Sequence, residues 1–203
     1  MKKVFLDTCL KLISQNNSLI DAVKLDEIRY GLEGIYLTLT KTIVIFALTV
    51  FLGIFKEMII MLIVFNILRT TGFGIHAKKS WQCWISSITI FVIFPFLAKI
   101  IAIPIGIRAT LGIIAVITMF LYAPADTVKH PLLNMKKRII WKTLTVVNCI
   151  VLVVISLVLN DSTICNLLLF GIYSEVAVIN PITYKIFKLP YNNYLNYDLS
   201  SNA

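Results

Sequence analysis

The chain has 203 residues, of which 59% are hydrophobic and only 14% are charged, and its formal net charge is +9. A soluble domain of this length has too little interior for so much apolar surface, so the composition excludes a soluble globular protein and predicts a polytopic membrane protein. The basic residues lie between apolar segments instead of along one polar face. This distribution favours a role in membrane topology over nucleic-acid binding. Four unevenly spaced cysteines predict no disulfide framework.

The N-terminal region has the pattern of amphipathic helices. Residues 2–15 place apolar side chains on one helical face and Lys3, Asp7 and Lys11 on the opposite face, as expected of a helix at the membrane interface. A second polar helix is predicted over residues 21–30. The resulting division is amphipathic helices at the cytoplasmic interface in 1–34, a transmembrane domain in 35–183 and a cytoplasmic tail in 184–203.

Six apolar segments follow, and they predict an all-α fold. They cover residues 35–55, 58–68, 81–103, 105–122, 139–159 and 164–179. The second segment is short, so it either crosses the membrane together with the polar residues that follow it or forms a re-entrant segment. Pro95 predicts a kink within the third segment.

Basic residues are concentrated in alternate connections, which predicts the orientation of the chain. The connections after the second, fourth and sixth segments are rich in lysine and arginine, and the connections between them hold few basic residues. Six crossings with both termini in the cytoplasm fit this alternation. The polar stretch after the second segment is then expected at the cytoplasmic surface.

That polar stretch contains a histidine and a cysteine seven positions apart, His76 and Cys83. A continuous helix would separate them by about 10 Å along its axis, too far for a hydrogen bond, and Gly72 and Gly74 disfavour such a helix. We expect His76 on a loop, Ser80 as the cap of the next helix and Cys83 in its first turn, where the helix dipole favours a thiolate. A thiolate with a histidine nearby is the minimal apparatus for nucleophilic acyl chemistry, although isolated Cys and His residues are most often structural.

The order of Arg69, Gly74-Ile75-His76-Ala77, Cys83 and Tyr122-Ala123-Pro124-Ala125-Asp126-Thr127 resembles the accessory gene regulator B family. Members of that family are membrane cysteine endopeptidases of Gram-positive quorum sensing. The resemblance covers nearly the whole chain and implies that His76 and Cys83 are the catalytic pair of a homodimer in the plasma membrane. The implied substrate is a small propeptide with an amphipathic leader, a short signal segment and an acidic tail. No cofactor, metal or nucleic acid is expected.

Other residues receive roles from the same resemblance or from their charge. Arg69 and Gly74 are candidates for positioning the site. Glu33 either orients His76 or is a helix-end charge at the membrane surface, and Glu175 either forms a helix–helix hydrogen bond or has a functional role. One basic cluster either docks the acidic tail of the propeptide or only sets topology; it consists of Lys136, Lys137, Arg138 and Lys142.

The resemblance therefore implies a peptidase that also cyclises its product. The Cys83 thiolate attacks the bond between signal segment and tail, and a thiol or hydroxyl of the signal segment displaces the acyl-enzyme thioester to give a thiolactone or lactone. A small transporter or channel is the alternative from another class, and it would use Lys41, Arg108 and Glu175 inside the membrane. A structural interaction protein is the third. Substitution of Cys83 separates the three.

Overall fold

The structure is a computed structural model that describes residues 2–16, 22–75, 80–126 and 132–195. These residues form helices and no strands. Five of the described helical stretches are long and apolar enough to cross a membrane. The prediction of an all-α polytopic membrane protein is therefore confirmed. The chain divides into two compact units, residues 1–48 and 49–203, and each is described by itself.

The first unit begins with an amphipathic helix. Helix α1 spans Lys2–Asn16, and it buries Leu6 and Leu10 while Lys3 and Asp7 are exposed. The two leucines are four residues apart and so lie on one face of the helix. The predicted amphipathic pattern is thus present in the burial of the side chains.

Helix α2 spans Ala22–Phe51 and joins two elements that the sequence pattern separated. The polar helix predicted over 21–30 and the first apolar segment are one continuous helix of 30 residues. Gly31 and Gly34 lie at the junction, and each costs only about 1 kcal/mol relative to alanine in a helix. Two glycines are therefore too weak a signal to end a helix with strong apolar residues on its C-terminal side.

The second unit contains the remaining helices, with α8 at its centre. α8 packs against α3, α5, α6 and α7, and it is the most buried of the candidate membrane spans. Glycines permit close approach; Gly171 of α8, for example, lies directly against Val64 of α3. The helices are α3 (Phe55–Gly72), α4 (Ser80–Ile88), α5 (Phe94–Ile100), α6 (Ile105–Tyr122), α7 (Met135–Val158), α8 (Ser162–Ile179) and α9 (Pro181–Ile186), with a π-helical turn (Thr89–Ile93) between α4 and α5.

Two predicted segments differ from the observed helices at their ends. The second apolar segment continues as helix through Gly72, so α3 has 18 residues and a length of roughly 27 Å. The charges Lys56, Glu57 and Arg69 lie near its ends. Helix α7 begins at Met135, so the basic cluster lies on the helix and not in the connection before it, because lysine and arginine are good helix formers.

The third apolar segment contains a π-helical turn beside Pro95, where the sequence predicts a kink. A π-helical turn, Thr89–Ile93, directly precedes the α5 segment that contains Pro95. Proline has no backbone N–H and its ring collides with the preceding helical turn. A local widening to π-helical spacing is one of the recognised ways to accommodate this.

The two ends of the second unit differ in their charged residues and in the helix termini that they contain. At one end, Lys99 lies 3.4 Å from Glu57 and donates a hydrogen bond to the Gly53 carbonyl, and Arg108 donates to the Ser156 carbonyl over 2.7 Å. The opposite end contains the C-termini of α3, α6 and α8 and the N-termini of α4 and α7. Arg69, Gly74, Cys83 and the start of the basic cluster lie at that second end.

Candidate functional site

The backbone leaves α3 through two residues with positive φ. Phe73 has φ 60° and Gly74 has φ 89°. A Cβ on Gly74 would lie 2.8 Å from Arg69 Nη1 and 2.9 Å from the Val178 carbonyl oxygen. Glycine is required here for two reasons, since an L side chain is strained at this φ and has no room.

Backbone hydrogen bonds to two other parts of the chain hold the segment Phe73–Ile75 in place. The Gly74 amide donates to the Ala125 carbonyl over 2.7 Å, and the Ala125 amide donates to the Gly72 carbonyl over 3.0 Å. The Ile75 amide donates to the carbonyl of Val178, at the end of α8, over 3.3 Å. Three backbone hydrogen bonds thus fix the chain immediately before His76.

The side chain of Arg69 adds a second set of bonds to the same segment. Its guanidinium donates to the carbonyls of Phe73, of Gly74 over 3.3 Å and of Ile75 over 2.6 Å. Its Nη1 also lies 3.9 Å from Oε2 of Glu175. The planar guanidinium has several donors in a fixed arrangement, which suits it to bind successive carbonyls. That Arg69 and Gly74 position the site stays a prediction.

The C-terminal segment, residues 188–195, packs onto the other side of Ala125. The Asp126 carboxylate is 1% exposed and accepts hydrogen bonds from the amides of Asn193, over 3.1 Å, and Tyr194, over 2.8 Å. The Tyr184 hydroxyl donates to the carbonyls of Ala125 and Asp126. Burial, with the nearby Asp126 carboxylate, raises the pKa of Tyr184.

Cys83 lies in the first turn of α4, as the sequence predicts. The helix begins at Ser80 and Cys83 is its fourth residue, with a half-buried side chain. Ser80 is itself the first helical residue, so the prediction that it caps the helix is wrong. His76 lies outside the described residues. Only residues 76–79 separate the fixed segment Phe73–Ile75 from α4.

The basic cluster separates into two kinds of residue. Lys136 and Lys137 are exposed in the first turn of α7. Arg138 instead lies over the ring of Tyr194, 3.6 Å from its centroid. Lys142 lies 4.5 Å from the centroid of the Phe120 ring. Two members therefore contact the protein itself, and two project from the start of the helix.

The remaining predicted residues are Glu33, two further cysteines and the charged residues of the transporter alternative. Glu33 belongs to α2 in the first unit and is half-buried, and its role in orienting His76 stays a prediction. Cys149 and Cys165 are buried, as expected of packing residues. Arg108 and Glu175, which the transporter alternative would use together, lie at opposite ends of the second unit. The described residues contain no group of His, Cys, Asp and Glu that could hold a metal ion.

Sequence reasoning missed the roles of Asp126, Tyr184 and Asn193. Asp126 belongs to the stretch that carries the family resemblance, and its position directly after a helix end and Pro124 is a signal that could have been used. Tyr184 and Asn193 have no such signal, since Asp126, to which both are hydrogen-bonded, is 58 or more residues away in the chain.

Together these features define a helical membrane protein with a rigid polar end, where a half-buried cysteine lies at the start of a helix. The chain belongs to the accessory gene regulator B family, whose members act in quorum sensing, and the family model matches residues 6–179.

Among its relatives is an AgrB-like protein of Clostridium acetobutylicum, 33% identical over 88% of this chain and 86% of the relative. An AgrB-like protein of Listeria innocua is 32% identical over 85% of this chain and 84% of its own length. Accessory gene regulator protein B of Staphylococcus aureus is 28% identical over 83% and 89%, respectively. No solved structure matches the chain.

Proposed function

We propose that the protein is a membrane cysteine endopeptidase that releases the acidic tail of a quorum-sensing propeptide and cyclises the signal segment. Cys83 is the nucleophile and His76 is the general base and acid. The observation that carries the proposal is the position of Cys83 in the first turn of α4, separated only by residues 76–79 from a backbone segment fixed by several hydrogen bonds.

The reaction begins with proton transfer from Cys83 Sγ to His76. The thiolate attacks the carbonyl carbon of the scissile peptide bond, the carbon–nitrogen bond breaks, and His76 returns the proton to the leaving amine of the tail. The signal segment remains on Cys83 as a thioester. A thiol of that segment then attacks the thioester and displaces the Cys83 thiolate, which gives a thiolactone; a hydroxyl would give a lactone. Exchange of one thioester for another conserves the activation that hydrolysis would lose.

Rigidity of the Phe73–Ile75 segment supports this chemistry. A general base is effective only when it is held within hydrogen-bond reach of the proton that it accepts, and small displacements of a catalytic group are costly in rate. The backbone bond to Ala125 restricts Gly74, and the bond to Val178 together with the guanidinium of Arg69 restricts Ile75, the residue directly before His76. This is the arrangement that a positioned base requires.

The proposed partner is a small propeptide with an amphipathic leader and an acidic tail. Lys136 and Lys137 are exposed in the first turn of α7, where the positive end of the helix dipole adds to their charge. An acidic tail that leaves Cys83 would be attracted to this end of the molecule. We further propose that this end faces the cytoplasm, in the plasma membrane of a Gram-positive bacterium, and that the protein functions as a homodimer.

Substitution of the two catalytic candidates tests the proposal. The protein is co-expressed with the short, acidic-tailed open reading frame expected beside its gene, and release of the tail is followed by mass spectrometry. Cys83→Ala and His76→Ala should each lower the rate by roughly ten-thousand-fold or more, as for other nucleophile and base deletions. Cys9→Ala is the matched control, because Cys9 is also half-buried but lies in the first unit. Tail release by Cys83→Ala would disprove the proposal.

A further inference from the structure

Glu175 is a fully buried carboxylate beside the fixed backbone segment. It lies on α8 with 0% exposure, and among the described residues neither of its carboxylate oxygens has a hydrogen-bond partner. Its Oε1 faces the α-carbon of Gly72, where a Cβ would be only 2.6 Å away. Gly72 therefore provides the space that the carboxylate occupies.

A buried carboxylate of this kind is costly unless an opposite charge compensates it. The compensating charge is Arg69, whose Nη1 lies 3.9 Å from Glu175 Oε2. Arg69 is the residue that binds the carbonyls of Phe73, Gly74 and Ile75. The guanidinium thus lies between a carboxylate on α8 and the backbone that leads into His76.

The ion pair with Glu175 links the guanidinium of Arg69 to a second helix. Arg69 is attached to α3 and could by itself follow any movement of the end of that helix. The Glu175 carboxylate belongs to α8, the central helix of the unit, and its attraction fixes the guanidinium relative to that helix. Apolar packing at this point would not orient the donors of Arg69 towards the three carbonyls.

We propose that Glu175 is a positioning residue for the proposed peptidase reaction, acting through Arg69 on the backbone that precedes His76. The inference rests on the proposed function of His76 and Cys83. Glu175 is a carboxylate of the second unit that acts through Arg69, whereas Glu33 is predicted to orient His76 itself. Glu175 supports the geometry of the base and does not touch the reacting atoms.

Three variants test the role of Glu175. Glu175→Gln keeps the size of the side chain and removes its charge, and Glu175→Asp keeps the charge on a shorter side chain. Glu57→Gln is the matched control, because Glu57 also pairs with a basic residue, Lys99, over 3.4 Å, but at the opposite end of the unit. All are purified in lipid nanodiscs, and thermal unfolding identifies any variant that is not folded.

Two measurements report on position and not on stability. The first is the rate at which iodoacetamide alkylates Cys83, read from the peptide that contains it, with His76→Ala as reference. The second is the kinetics of tail release from propeptide added to the nanodiscs at varied concentration. For Glu175→Gln we expect alkylation to slow towards the His76→Ala rate and kcat to fall roughly tenfold to a hundredfold with KM nearly unchanged, as for a displaced catalytic group. Glu175→Asp should lie between wild type and Glu175→Gln.

The outcomes separate this inference from the proposed function. If Cys83→Ala still releases the tail, the proposed function itself fails. If Cys83→Ala is inactive but Glu175→Gln behaves like Glu57→Gln in both measurements, only the positioning role of Glu175 is wrong. Should Glu175→Gln not fold, Glu175→Asp decides the question, and wild-type alkylation and kcat in that variant would overturn the inference.

Discussion

At the residue scale, the site depends on where the chain leaves α3. Gly72 makes room for Glu175, and Gly74 makes room for the guanidinium of Arg69 and for the Val178 carbonyl. Positive φ at Phe73 and Gly74 turns the backbone out of α3, and the Gly74 amide donates to the Ala125 carbonyl. The guanidinium of Arg69 then donates hydrogen bonds to the carbonyls of residues 73–75. The loss of any one of these features should displace His76.

Gly74→Ala tests this reasoning. The new Cβ would be strained at φ 89° and would collide with Arg69 and Val178, so we expect the free energy of unfolding to fall by about 1–3 kcal/mol. Tail release should fall by roughly a hundredfold, because the base is displaced. Gly106→Ala is the control, since nothing lies within 4 Å of a Cβ at Gly106 in α6. Equal activity in the two variants would contradict this account.

At the scale of elements, the start of α7 and the C-terminal segment form one structure. Arg138 lies over the Tyr194 ring, and the Tyr194 amide is bound by Asp126, whose neighbour Ala125 binds Gly74. The C-terminal segment is therefore linked to the site through two residues. The four basic residues, which the sequence presents as one docking cluster, consequently have different roles.

Neutralising these residues separately distinguishes the roles. Lys136→Gln with Lys137→Gln should raise KM severalfold with kcat unchanged, and the difference should disappear at high salt, because exposed charges attract weakly and are screened over about 8–10 Å. Arg138→Gln should instead lower kcat independently of salt, since it loosens the contact with Tyr194. A double lysine variant with wild-type KM at low salt would show that these lysines only set topology.

Local sequence patterns predicted most elements and little of how they meet. The apolar run at 105–122 coincides with α6 because a membrane-spanning helix is encoded by continuous hydrophobicity. Cys83 was correctly expected in a first turn, although Ser80, which was expected to cap the helix, is its first residue. The contact of Asp126 with Asn193 could not be predicted, since it joins residues 67 positions apart. Nor does hydropathy reveal that α8 is the central helix, because lipid and protein interior select the same apolar side chains.

At the scale of the whole molecule, the distribution of basic residues predicts how the protein is oriented in the membrane. The start of α7, with Lys136 and Lys137, lies at the same end of the second unit as the exit from α3. The connection between α7 and α8 at the opposite end contains Asn160 and Asp161 and no basic residue. By the positive-inside rule the site end should face the cytoplasm.

Labelling in intact cells tests this orientation. Asp161 caps α8 by accepting a hydrogen bond from the Ile164 amide, so its exposed neighbour Asn160 is the better position for a probe. Asn160→Cys should react with an impermeant maleimide from outside. Leu133→Cys, exposed just before α7, should react only after the cells are permeabilised. Labelling of Leu133→Cys in intact cells would reverse the orientation.

The central claim is that Cys83 carries the signal segment as a thioester, and trapping that intermediate tests it most directly. A propeptide whose cyclising cysteine is replaced by alanine can still lose its tail but cannot displace the enzyme. Mass spectrometry should then find the signal segment attached to the peptide that contains Cys83, and hydroxylamine should remove it. An adduct on Cys9, Cys149 or Cys165, or tail release without any adduct on Cys83, would contradict the account.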